Sequence, residues 1–189
     1  MSSDLPDARS PDDHVVFSTT IDVLFRKTLA PTITRDIEAR LLKVGIDLSR
    51  PLEPGYPLRV FDDALEVVVT NGMPHLSKAE GLQRIGRLQV EAFLETLIGK
   101  ATFAYLRLIS RERFVNRLTQ SWRQANNFID TVVTARADGS MLIRINDVGR
   151  FPEVIQGILV AGFKAAGHTA EVAVRARDGI ACEYEVRFP

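Results

Sequence analysis

Five phrases decide the fold: Phe128-Ile-Asp-Thr-Val-Val-Thr-Ala135, Met141-Leu-Ile-Arg-Ile-Asn146, Gly149-Arg-Phe-Pro-Glu153, Ala170-Glu-Val-Ala-Val-Arg-Ala-Arg177 and Cys182-Glu-Tyr-Glu-Val-Arg-Phe188. In four of them apolar residues recur at every second position, the period of a strand with one wet face. Ile129, Thr131, Val133 and Ala135 share one face, and Met141, Ile143 and Ile145 another, across an Ala137-Asp-Gly-Ser140 turn. Cys182, Tyr184, Val186 and Phe188 alternate with charged residues, after a turn at Asp178-Gly179. Val172, Val174 and Ala176 alternate in the same way. Between the pairs, Pro152 presets the first turn of a helix that begins near Gly149. The order β-β-α-β-β predicts an antiparallel sheet with one long helix inserted.

Upstream the period changes to that of a helix. Phe17, Ile21, Leu24, Phe25 and Leu29 make a stripe that Pro31 ends. A second helix is expected from Thr34 to Val44 with Gly45 as its left-handed stop. An extended connector rich in proline then leads to a third helix over Leu58–Thr70. Ser77 and Glu80 form a capping box that opens a fourth. Gly86 lies inside that fourth helix, where a glycine costs about 1 kcal/mol relative to alanine, so it is read as a point of close packing. Helical runs near 100–109 and 111–125 complete this portion. Residues 1–13 carry four aspartates, two prolines and three serines with little to bury, and are expected to be a disordered tail. The fold class is therefore α+β: an N-terminal helical portion packed on a C-terminal antiparallel sheet, in one domain over 14–189.

Composition narrows the function. Of 189 residues, 46% are hydrophobic and 25% charged, which is globular usage. Basic and acidic residues balance at 24 each, which removes the usual driving force for nucleic-acid or membrane-surface binding. No secretory signal and no membrane span is visible, so a cytoplasmic protein is expected. A single cysteine, Cys182, excludes an internal disulfide, and its strand position reads as a buried structural thiol. The three histidines, His14, His75 and His168, are read as loop residues exposed to solvent, and none has metal-ligand spacing to a second ligand. No nucleophile elbow, dinucleotide fingerprint or phosphate loop is present.

Two clusters remain as candidate ligand contacts. Trp122, Asn126 and Asn127 stand at a helix-to-strand junction, and Arg150 with Phe151 stands at the strand-to-helix turn, where free backbone N–H groups favour an acceptor. Asp62, Asp63 and Glu66 read as a solvated helix face. The basic run Lys100–Arg123 is read as a solvated helix surface, able to pair with that acidic helix, with an anionic ligand or a partner's acidic face as the alternatives.

Gly45-Ile-Asp-Leu-Ser-Arg-Pro-Leu52, Pro54-Gly-Tyr-Pro57, Ile85-Gly-Arg87, Glu95-Thr-Leu-Ile-Gly99, Asn126-Asn127 and Val148-Gly-Arg-Phe-Pro-Glu153 together resemble a paralogous family of about 200-residue proteins, abundant in myxobacteria and of unknown function. The element order is also similar to a superfamily containing 4-vinyl-reductase domains, transport-particle subunits and haem–nitric-oxide sensors. That resemblance implies a pocket between helices and sheet, a small lipophilic ligand and homodimerisation. Haem sensors of the group use a helical histidine and a Tyr-x-Ser-x-Arg clamp. This sequence has no Tyr-x-Ser-x-Arg, so haem is not expected. The leading expectation is a non-enzymatic module for ligand sensing or protein contact, with a dimeric scaffold or an enzyme of unknown reaction as alternatives.

Overall fold

The structure, a computed structural model, describes residues 13–110, 113, 114, 117 and 122–189. The expected tail, apart from Asp13, and much of the expected helix over 111–125 lie outside the described residues.

The chain opens with a short strand, β1 (Val15–Phe17), that the helical stripe had hidden. It pairs antiparallel with β2 (Gly55–Pro57), Val16 opposite Tyr56, so the proline-rich connector ends in a strand. Three-residue strands are too short to show a period. From β1 the chain enters α1 (Ser18–Ile21), which widens into a π-helical stretch, Asp22–Thr28. Leu29 N–H closes that stretch on the Leu24 carbonyl at 2.8 Å.

The next helices follow their sequence signals. In α2 (Arg35–Val44) the Thr34 hydroxyl accepts from Ile37 N–H and Gly45 ends the helix at φ 105°. Helix α3 runs from Leu58 to Gly72, and α4 from Lys78 to Glu95 behind the complete Ser77–Glu80 capping box. Thr96 caps α5 (Leu97–Leu106). Helix α6 (Pro152–Ala165) lies against α4, and glycines on both helices allow the approach. A Cβ on Gly86 would stand 2.0 Å from the Val154 carbonyl oxygen, and one on Gly157 would stand 2.1 Å from that of Gln83. Gln83 and Gln156 then hydrogen-bond across the crossing at 2.9 Å.

Four strands, β3 (Thr131–Ala135), β4 (Met141–Ile145), β5 (Glu171–Asp178) and β6 (Ala181–Arg187), form an antiparallel sheet in the order β3-β4-β6-β5. The two central strands keep the expected alternation: Met141, Ile143, Ile145, Cys182, Tyr184 and Val186 are all buried. Edge strand β5 departs from it. Only Val172 is buried there: Val174 still pairs with Tyr184 but stands exposed at the sheet edge, and a bulge between Val174 and Ala176 shifts the register so that Ala176 pairs with Glu183. Tyr184 is fully buried and donates its hydroxyl to the Pro152 carbonyl at 2.9 Å, tying β6 to the start of α6.

Candidate functional site

The turn between β4 and α6 gathers three of the buried polar residues among those described, His14, Asp62 and Asp147. Asp147 accepts from Gly149 N–H at 2.7 Å, and its second oxygen lies 2.6 Å from His14 Nδ1. His14 is therefore buried, not exposed, and it stacks on Phe128 with ring centroids 4.8 Å apart. Gly149 adopts φ 62°, and a Cβ there would meet both Asp62 carboxylate oxygens at 2.9 Å. Arg150 N–H donates to Asp62 at 3.0 Å.

Asp62 is 5% exposed, which corrects the reading of its helix as a solvated face. Burial pushes its carboxyl up to about 6, although the Arg150 N–H and guanidinium pull the other way. The Arg150 side chain reaches Asp63 at 2.6 Å and Glu66 at 3.6 Å, and Lys78 pairs with Glu66. Among the described residues, Arg150 and Lys78 carry the ion pairs of this acidic helix. From the 100–123 run, Arg107 caps α6 through the Ala165 carbonyl and Arg123 pairs with Asp130. Arg177 completes the turn by donating to the carbonyls of Gly149 and Arg150.

The asparagine pair does backbone work. Asn126 accepts from the N–H groups of Phe128 and Ile129, while Asn127 accepts from Val15 N–H and donates to the Asp13 carbonyl. Asn127 therefore anchors the start of β1, across 112 residues of sequence.

A cavity of about 60 Å³ lies between α1, α3, α4, α6 and the 122–129 junction. Trp122, Asn126 and Phe151 line it, as do Phe61, Leu65 and Ile155. Arg150 instead borders an open cleft of about 600 Å³ on the outer side of the turn, with His14 and Asp147. Asp62 borders both spaces. Asn127 borders neither among the described lining residues. Two buried donors on the inner cavity, Trp122 Nε1 and Gln89 Nε2, have no hydrogen-bond partner in the protein. Gln89 was not singled out in the sequence, since a lone glutamine inside a helix carries no signal.

Haem does not fit this interior. No histidine, cysteine, methionine or tyrosine stands among the described residues lining the cavity. The buried histidine is engaged with Asp147. No cluster of three histidine, cysteine or acidic side chains suited to a metal occurs among the described residues. Ligand pockets for cofactor-sized molecules run to about 300–1,000 Å³, far above this volume.

Comparison with known proteins agrees with the fold. A family model described as "Protein of unknown function (DUF2378)" matches residues 14–188. No curated protein matches in sequence. Solved structures of H-NOX proteins match over nearly the whole chain. One, from S. oneidensis in the Fe(II)NO ligation state, is 9% identical with a TM-score of 0.64, covering 90% of this chain and 97% of that one. A mutant of the T. tengcongensis H-NOX is 15% identical with a TM-score of 0.61, covering 90% and 96%. An unliganded Fe(II) H-NOX mutant from K. algicida is 14% identical with a TM-score of 0.60, covering 88% and 95%. At such identities the likeness shows a shared α+β fold. No helix among the described residues is long and apolar enough to cross a membrane.

Proposed function

The chain belongs to the DUF2378 family, and on that footing we propose that it is a haem-free ligand-sensing module, non-enzymatic, cytoplasmic and acting in a signalling or regulatory setting. The observation that carries the reading is the cavity itself: an apolar space walled by several different elements, bearing two buried donors that no protein group satisfies. Leaving such donors unpaired costs about 1–3 kcal/mol each, which a bound ligand would recover. The fold likeness to H-NOX proteins, one of them in an Fe(II)NO ligation state and another used to probe haem distortion, supports a sensing role by analogy of architecture. Occupancy would be read at the β4–α6 turn, because Phe151 and Asp62 belong both to the cavity wall and to that turn's packing.

Haemin titration and xenon binding followed by 129Xe NMR test this reading. Xenon suits a small apolar cavity. The expected result is saturable xenon binding that Ala125→Leu abolishes, with no saturable Soret band on adding haemin. A stoichiometric Soret band would overturn the haem-free assignment, and an absence of xenon binding would overturn the cavity reading. The second reading is a dimeric scaffold, favoured by Leu97, Ile98 and Leu108 standing 84%, 68% and 84% exposed on and just after α5. Sedimentation distinguishes it: a dimer that Leu97→Glu dissociates supports the scaffold, and a monomer at all concentrations removes it.

A further inference from the structure

The chemistry of the cavity restricts its ligand more tightly than the fold does. Trp122 is 8% exposed and its indole N–H can only donate. Gln89 Nε2, also shut off from solvent, is a second donor on the same cavity. Both lack a partner, so the missing group is an acceptor. A cation would supply none. An anion would be brought next to the buried Asp62 carboxyl, inside a wall that is otherwise chiefly aliphatic and aromatic. A neutral acceptor meets neither objection.

Volume sets the size. A cavity of about 150 Å³ holds benzene, with six heavy atoms. At about 60 Å³ the present one has room, in proportion, for two to three. From these observations we infer that the cavity binds a neutral molecule of about three heavy atoms with a hydrogen-bond-accepting oxygen, held by Trp122 Nε1–H and Gln89 Nε2–H. The inference rests on the ligand-sensing reading of the same cavity and adds the ligand's class. Even the most efficient small ligands bind in proportion to their few atoms, so half-saturation is no tighter than roughly 1 mM. The site is thus suited to a molecule present at millimolar concentration.

Trp122 is the only tryptophan, so its indole N–H gives one assignable signal in a 1H–15N spectrum. Formamide, with a carbonyl acceptor and three heavy atoms, is the probe. Propene, also of three heavy atoms but without an acceptor, is the comparison. Formamide is expected to move the Trp122 indole signal downfield in a saturable way, at least fivefold more tightly than propene. Gln89→Met, which keeps length and removes the donor, is expected to weaken formamide about tenfold and leave propene unchanged. Equal binding of both probes in the native protein would overturn the acceptor assignment and leave the cavity reading standing. No saturable shift with either, together with an indole-to-water Overhauser effect, would mean ordered water only and would overturn both. Gln89→Phe, filling the space in a second way, should abolish binding of both probes. Retained formamide binding there would place the probe elsewhere and overturn the inference.

Discussion

Replacing Asp62 with asparagine isolates a buried charge whose desolvation opposes ionisation. Its carboxyl is buried, so its folded value stands near 6 against an ordinary value of 3.8. A carboxyl raised on folding binds its proton more tightly in the native state. Its contribution to stability is therefore fully present below about pH 3.8 and is lost as pH rises towards and through 6. At about 1.4 kcal/mol per pH unit, the whole window corresponds to about 3 kcal/mol. Asparagine keeps the shape and an oxygen to accept from Arg150 N–H, and it carries no charge. Urea unfolding of both proteins from pH 3.5 to 7.5 gives the difference in stability at each pH. The variant should gain on the native protein as pH rises, by about 3 kcal/mol in total, with most of the change between pH 4 and 6. A flat difference, or one that falls with pH, would show that burial does not raise the Asp62 carboxyl. A fall would mean that the Arg150 ion pair at 3.7 Å outweighs desolvation and holds Asp62 below its ordinary value.

Three further substitutions test the packing that shapes the site. Gly86→Ala forces a Cβ against the Val154 backbone, so α4 and α6 must separate, and thermal unfolding should show a loss of about 1–3 kcal/mol. An unchanged midpoint would mean that the crossing is looser than the geometry implies. Tyr184→Phe leaves the Pro152 carbonyl without its buried donor and should cost about 1–2 kcal/mol in urea unfolding, with the slope unchanged. Asn127→Ala removes two hydrogen bonds to the segment leading into β1, so amide exchange at Val15 and Tyr56 should accelerate while the β4 and β6 amides stay protected. Uniform acceleration across the sheet would show that β1 is not a separate cooperative unit.

What was legible in the sequence was local. Ser77 and Glu80, three residues apart, specify their cap by themselves, as do Thr34 and Gly45 for α2. The central strands were legible because each has two well-packed neighbours, which makes its alternation strict. Edge strand β5 has a neighbour on one side only, and its Val174 and Ala176 are exposed despite the same alternation. Gly86 was legible as a packing glycine, because a helix keeps so costly a residue only where something comes close.

The site was harder, because its pairings are distant in sequence. His14 and Asp147 meet across 133 positions, and Asp62 and Arg150 across 88. Neither pair has a spacing that a single sequence can display. Asp62 also shares its helix with Asp63 and Glu66, which face solvent more openly, so its burial was masked by its neighbours. Of the residues singled out beforehand, Trp122, Asn126 and Phe151 come together at the inner cavity, Arg150 faces the outer cleft, and Asn127 binds the β1 segment. Asn126 Oδ1 already accepts from the N–H groups of Phe128 and Ile129, and the buried cavity donors without a protein partner are Trp122 Nε1 and Gln89 Nε2.

We propose that this H-NOX-like fold houses a small haem-free ligand cavity. A crystal structure of the protein under xenon pressure, grown in the presence of haemin, tests it most directly. One xenon atom is expected between Trp122, Phe61 and Phe151, with no porphyrin in the interior. Haem seated between the helices and the sheet, or a cavity with no xenon in it, would contradict it.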